Sequence, residues 1–228
     1  MISTERVRWD RSYRIIRTIH PPIDLFEDIA DPADWDALAS AESKTNPRIW
    51  EAVGDLLHVP PERRVGGPGA TYLMAPFVHC SPDRPSRFSG GSYGVYYAAD
   101  AEAVAIYEVA HHHAAFMTAT AQAPGWTSDF RVLVGADVDL DLHDASEVAD
   151  VLDPEDYAAA QKLGADLRRD GSNGVVYPSV RAPEGMCIGV FWPDLLSPPV
   201  QGDAYEFHYD GARVDRVRNK RTKAILQL

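Results

Sequence analysis

Val95-Tyr96-Tyr97-Ala98-Ala99, followed by Asp100 and the run to Met117, is where the chain changes from a strand-like pattern to a helical one. The first five residues are β-branched, aromatic or small, which suits a buried strand. Asp100 offers a side-chain oxygen for a helix N-cap. Beyond it Ala101, Val104, Ala105, Glu108, His112 and Phe116 recur at three- and four-residue spacing, close to one stripe of a helix that ends near Met117. Glu108 therefore projects toward the core or a cleft.

The strand and helix do not repeat as a regular βαβ series along the chain. Tyr13-Arg14-Ile15-Ile16 reads as a short strand stopped by Pro21-Pro22. Asp31-Pro32 and Asn46-Pro47 each place a capping side chain before a proline, predicting two short helices within residues 31–57, with Trp50, Val53 and Leu57 on one face. Residues 60–85 read as loop with one extended apolar piece over 72–78. The glycines of 66–71 superficially match a dinucleotide fingerprint, but no clear strand precedes them and no periodic helix is evident after them, so a turn is the better reading. Residues 131–140 read as a strand, and Asp153-Pro154-Glu155-Asp156 opens a helix ending near Gly171. Val175-Val176-Tyr177 and residues 186–192 add two strands. Residues 205–209 and 213–217, joined across Asp210-Gly211, make the clearest hairpin. The fold class expected is α+β, as a single domain over residues 1–228.

The 228 residues, 45% of them hydrophobic, suffice for a substantial core. A net charge of -12 argues against direct nucleic-acid binding, which needs arrays of Lys and Arg. The basic run Arg213, Arg216, Arg218, Lys220, Arg221 and Lys223 reads as a solvated face, with a partner contact as the alternative. Cys80 and Cys187 lie far apart and outside any Cys-x-x-Cys spacing, which suits a reducing compartment. Charges at the start take the place of a signal peptide's apolar segment, and no apolar run approaches the roughly 20 residues of a membrane span. A cytoplasmic location without membrane contact is expected.

The chemistry concentrates around one constellation. Arg87 opens Arg87-Phe88-Ser89-Gly90-Gly91, and Glu108 follows 21 positions later on the predicted helix. A carboxylate on an apolar helix face is costly without a cation or donors, so Glu108 needs a partner, with Arg87 and Arg14 as candidates. It reads equally as a structural ion-pair member or a catalytic group. Glycines on both sides of Tyr93 permit close approach of a ligand to the backbone. His111-His112-His113 invites a metal reading, but a zinc helix wants two histidines four residues apart around a glutamate, so no metal is expected. Ser179 in Tyr177-Pro178-Ser179-Val180-Arg181 lacks a nucleophile elbow and suits a turn or positioning role better.

Arg87, Glu108 and Ser179, in the contexts Ser-Arg-Phe-Ser-Gly-Gly, Ala-Ile-Tyr-Glu-Val and Tyr-Pro-Ser-Val-Arg, resemble the Arg, Glu and Ser that give RES-domain proteins their name. Tyr13-Arg14-Ile15, Gly94-Val95-Tyr96-Tyr97-Ala98-Ala99 and Asp170-Gly171-Ser172-Asn173-Gly174 extend the resemblance over nearly the whole chain. It implies an ADP-ribosyltransferase-like mixed β core flanked by helices, and a toxin paired with an Xre-like antitoxin. A homo-oligomer within the antitoxin complex is compatible with it. The implied substrate is NAD+, consumed by hydrolysis or phosphorolysis, with mono-ADP-ribosylation of a host protein as the alternative. By motif, Arg14 and Arg87 would bind the diphosphate and ribose side, Tyr97 would line the nicotinamide pocket, Glu108 would be the catalytic carboxylate, and Ser179 would complete the site.

The chemistry of these residue types agrees with that assignment. Arginine offers paired planar donors to diphosphate oxygens and stays charged. Cleaving the nicotinamide–ribose bond builds positive charge on the sugar, which a fixed carboxylate stabilises. NAD+ would be substrate, with no further cofactor. Compact family members tend to have Arg-Trp-Asn where this chain has Arg87-Phe88-Ser89, and lack much of residues 21–80. The chain resembles a longer subgroup, with 21–80 a mainly helical and loop segment particular to it. A reading of another class is a non-catalytic nucleotide-binding module acting through a DNA-binding partner.

Overall fold

The computed structural model describes residues 2–19, 22–28, 30–182 and 184–228. A mixed sheet runs through these residues with helices on both faces, the α+β arrangement expected. Its strands are β1 (Thr4–Trp9), β2 (Ser12–Arg17), β3 (Tyr96–Ala99), β4 (Gly125–Gly135), β5 (Val138–Asp144), β6 (Gly174–Pro178), β7 (Met186–Val190), β8 (Val200–Tyr209), β9 (Val214–Asn219) and β10 (Ile225–Gln227). They lie in the order β1-β5-β6-β7-β3-β2-β4-β8-β9-β10. Neighbours are antiparallel except β5 and β6.

Alternation along the strands divides the core in two. Tyr96 and Ala98 of β3, Val176 of β6, and Ile188 and Val190 of β7 join one cluster with Phe26, Trp35, Leu73, Met74 and Phe77. These last come from α1 (Asp24–Glu27), α2 (Trp35–Glu42) and α4 (Ala70–Val78), which with α3 (Ile49–Val53) pack on that face. Ala99, Val175, Tyr177 and Cys187 join the opposite cluster with Val104, Ala105, Ile106, Ala110 and Ala160. That face belongs to α5 (Glu102–Ala119) and α6 (Ala158–Arg169). No helix of the described residues is long and apolar enough to cross a membrane.

Several expectations need correction. Residues 70–78 form helix α4, not an extended piece. A short apolar run is ambiguous by composition, but Ala70, Leu73, Met74 and Phe77 keep helical spacing and are all buried. The glycine run before it therefore does enter a helix. Gly69 caps it at φ +85°, and Glu27 accepts from Gly69 N at 2.7 Å and Thr71 N at 2.9 Å. A carboxylate of the chain itself thus occupies the place a phosphate would take.

Asp100 does not cap α5; Ala101 stands at the N-cap, and one Asp100 carboxylate oxygen is buried without a hydrogen-bond partner among the described residues. Phe116 is 51% exposed while His113 and Met117 are buried, so the buried line runs through Ala110, His113 and Met117 and not through His112 and Phe116. Arg48, not Asn46, precedes α3, and Leu57 is 85% exposed while Val53 is buried, so the face expected there does not form. The strand expected over 131–140 is two, β4 and β5, which break after Gly135 and go to different parts of the sheet. Asp153 and Asp156 form turns whose carboxylates accept backbone N–H groups, delaying α6 to Ala158. Strand β1 was not expected, because its charged residues face solvent and mask the pattern. The hairpin β8–β9 is present, but its loop spans residues 210–213 and is held by Asp210 Oδ1. The Pro21-Pro22 stop falls partly on Pro21, which lies outside the described residues.

Candidate active site

On the α5 side of the sheet, a cavity of about 490 Å³ is lined by Arg14 of β2, Arg87, Tyr97 of β3, Glu108 of α5, and Glu155 and Tyr157 before α6. That volume is in the range of small-molecule sites. Four of the five residues singled out from the sequence line it. The fifth, Ser179, reaches it through Glu108.

The turn after β6 fixes Glu108. Ser179 Oγ accepts from Arg181 N at 3.1 Å and Ala182 N at 2.9 Å, which leaves its single proton to donate to Glu108 Oε1 at 2.5 Å. A hydroxyl with both acceptor positions filled by backbone amides has one direction left for its hydrogen. That hydrogen bond orients the Glu108 carboxylate. Cys187 Sγ lies 4.0 Å from the same Oε1, and burial pushes its thiol pKa far up, so it stays protonated beside the carboxylate. Glu108 forms no ion pair among the described residues; neither Arg14 nor Arg87 is its partner in one.

Arg87 is held by a tight, buried loop. Ser86 N donates to Ser89 O at 2.8 Å, Ser89 Oγ donates to Tyr93 O at 2.6 Å, and the Tyr93 hydroxyl donates to Phe88 O. The Phe88 ring packs edge-on against Tyr177 at 5.0 Å. Gly91 adopts φ +95°, and a Cβ there would sit 2.2 Å from Ser81 O, so only glycine fits. Arg87 itself is 8% exposed; its Nη1 donates to Val151 O at 3.1 Å and Asp153 O at 2.8 Å, and its guanidinium lies 4.5 Å from the Tyr157 ring centre.

Arg14 donates through Nη1 to Tyr97 O at 3.0 Å and lies 4.9 Å over the Tyr96 ring, while its Nε is buried without a hydrogen-bond partner among the described residues. Burial lowers its pKa, partly opposed by Tyr96 and Tyr97, but a guanidinium remains charged. No carboxylate pairs with either arginine among the described residues. Two cations thus line one cavity without a direct ion pair among the described residues, an arrangement that suits an anionic ligand.

The Tyr97 hydroxyl accepts from Phe88 N at 2.9 Å and shares a hydrogen bond of 2.9 Å with Ser86 Oγ. Burial pushes its pKa up to about 12. The residue both lines the cavity and latches the Arg87 loop to β3. His111 and His112 stand at the cavity wall, their pKa values lowered first by burial and then by Arg181. His113 points the other way, packed against Phe130 and 3.2 Å from Thr127 Oγ1. No group of three or more metal-ligating side chains occurs among the described residues.

Sequence reading missed Tyr157, Glu155 and Ser86 as cavity residues. Tyr157 belongs to a turn distant in sequence from Arg87, and its only signal was the Asp153-to-Asp156 turn residues that hold it in place.

The family model for the RES domain matches residues 61–210, which include Arg87, Glu108 and Ser179. The protein named Uncharacterized protein y4oC, from Sinorhizobium fredii (strain NBRC 101917 / NGR234), is 28% identical over 211 residues, covering 90% of this chain and 85% of that one. The crystal structure of the M. tuberculosis MbcT–MbcA toxin–antitoxin complex aligns at 14% identity and TM-score 0.44, over 92% of this chain and 88% of that one. With its model matched across well over half of the 228 residues, the chain belongs to the RES-domain family.

Proposed function

We propose that this protein is an NAD+-consuming toxin held in check by an Xre-like antitoxin, acting by cleavage of the nicotinamide–ribose bond. The observation that carries the reading is the cavity in which Arg14 and Arg87, unpaired with any described carboxylate, share one space with a carboxylate oriented by Ser179. Two fixed cations suit a diphosphate, and a single carboxylate suits a sugar that becomes cationic. Membership of the RES family is in keeping with this substrate.

In this mechanism the C1′–N bond breaks with its electron pair going to the pyridinium nitrogen, so nicotinamide leaves neutral. Positive charge appears on the ribose as the bond lengthens. Glu108 stabilises that charge and accepts a hydrogen bond from a ribose hydroxyl, an effect larger in the transition state than in the ground state. Ser179 keeps the carboxylate aimed. An oxygen nucleophile then attacks C1′ and loses its proton to solvent.

The test is NAD+ consumption by protein freed of antitoxin, with and without phosphate, beside Glu108→Gln. Nicotinamide release that disappears in the variant supports the reading. ADP-ribose as product indicates water as acceptor, ADP-ribose 1″-phosphate indicates phosphate, and adenine label retained on protein indicates the transferase alternative. NAD+ left intact by well-folded wild-type protein both with and without phosphate overturns it.

A further inference from the structure

The wall formed by residues 151–157 has no part in the mechanism above, yet it is built around Arg87. Val151 O and Asp153 O take Nη1 of that arginine, and the Tyr157 ring lies 4.5 Å beneath its guanidinium carbon. The wall is itself held in place. Asp153 Oδ1 accepts from Glu155 N at 2.7 Å and Asp156 N at 2.8 Å, and Arg181 Nη2 donates to Pro154 O at 2.6 Å. Gln161, in the first turn of α6, donates through Nε2 to Ser86 O at 3.0 Å, tying this wall to the Arg87 loop.

The consequences for Arg87 are geometric. A guanidinium is planar, and stacking on a ring fixes that plane; two carbonyls at one nitrogen then fix its rotation within the plane. Nε and Nη2 are left without a hydrogen bond to any described residue. Both Arg87 and Tyr157 line the cavity, and the Tyr157 hydroxyl likewise has no hydrogen-bond partner among the described residues.

We propose that Tyr157 is a positioning residue whose ring holds the Arg87 guanidinium with its Nε–Nη2 edge presented to an anionic oxygen pair of the ligand. The diphosphate assignment of that ligand rests on the function proposed above; the positioning role does not. The ring carries the effect, so the hydroxyl is dispensable.

Two readouts separate the proposals. Affinity for inorganic pyrophosphate, measured by calorimetry on the full chain, reports on Arg87 presentation without any turnover. Tyr157→Leu, which keeps bulk and removes the π face, is expected to weaken pyrophosphate binding roughly 5- to 30-fold, and Tyr157→Phe to restore it to within about twofold of wild type. With NAD+, Tyr157→Leu is expected to raise KM by a similar factor while kcat changes by less than about threefold. Tyr157→Ala serves the same purpose should the leucine variant fail to fold. Equal loss in the Phe and Leu variants would overturn the ring's role, as would wild-type affinity in Tyr157→Leu or absence of pyrophosphate binding by wild type. Pyrophosphate binding that follows the expected order without NAD+ turnover would sustain the positioning role and sink the proposed reaction instead.

Discussion

Replacing Ser179 by Ala tests whether that hydroxyl works through Glu108. The substitution removes the donor 2.5 Å from Glu108 Oε1 and strips Arg181 N and Ala182 N of their acceptor. A hydrogen bond to a charged group contributes about 1.5–3 kcal/mol, and if it is fully realised in the transition state its loss lowers kcat roughly 10- to 150-fold. The two amides lie in a half-buried turn that water can reach, so the stability cost is smaller, about 1–2 kcal/mol. In a chain of this size that is a fall in Tm of about 2–8 °C. The decisive assay is a double-mutant cycle of initial NAD+ consumption rates. Because Ser179 acts by aiming Glu108, the double variant Ser179→Ala with Glu108→Gln should be no slower than Glu108→Gln alone. Additive losses would refute the reasoning and give Ser179 a direct contact with substrate. A full wild-type kcat in folded Ser179→Ala would refute it more simply.

Three further outcomes follow from the same geometry. Tyr97→Phe leaves the Phe88 amide without the hydroxyl it donates to at 2.9 Å, so a loss of about 1–3 kcal/mol is expected by urea unfolding, with a raised KM for NAD+ as the Arg87 loop loosens. Gly91→Ala places a Cβ 2.2 Å from Ser81 O at a φ of +95°, and should cost upwards of about 1 kcal/mol in thermal unfolding while lowering the NAD+ consumption rate through the same loop. Buried His113 has its pKa lowered by burial first and then by Arg17, against a smaller opposing effect of Asp129. The unfolded chain therefore takes up that proton first as pH falls through about 6.5, and stability should drop on acidification by at most about 1.4 kcal/mol per pH unit for this group. His113→Gln should flatten the dependence of Tm on pH in that window, and an unchanged slope would exclude the assignment.

What the sequence disclosed depended on how local the determinants were. The turn from β3 into α5 was legible because a strand pattern gives way to a helical one at a single place, and it put Glu108 on the correct side. The line of α5 that is buried beyond Glu108 was not, since His113 and Met117 face inward while Phe116 faces out, and only tertiary packing could reveal that rotation. Helix α4 was hidden by Pro76 and by being buried nearly all round, which removes the amphipathic contrast that periodicity needs. Strand β1 was hidden for the opposite reason: its exposed positions, among them Arg6 and Arg8, pair with Asp139 and Asp141 on β5, so its pattern is intelligible only with its partner strand in view. The Glu108–Ser179 contact bridges 71 residues, and no spacing argument reaches that far.

Charge shows the same distinction in the site itself. Counted along the chain, the basic run near the end is the natural place to look for an anion. In the fold it is largely spoken for: Arg216 meets Asp215, Arg218 meets Glu206, and Arg221 meets Asp203, mostly across neighbouring strands. Exposed pairs of this kind contribute little to stability, but they cancel the field that would attract a ligand. Arg14 and Arg87 look unremarkable in the sequence, 73 residues apart and each flanked directly by neutral residues. On an acidic chain with carboxylates to spare, neither pairs with one among the described residues; aromatic rings and backbone carbonyls hold them instead. Carbonyls and ring faces orient a guanidinium without neutralising it, so both cations keep their charge for whatever enters the cavity. An aspartate introduced at Tyr13, which lines the same cavity beside Arg14, should therefore weaken anion binding more than loss of any arginine in the basic run, and the reverse order of affinities for pyrophosphate would show that the field comes from the wrong place.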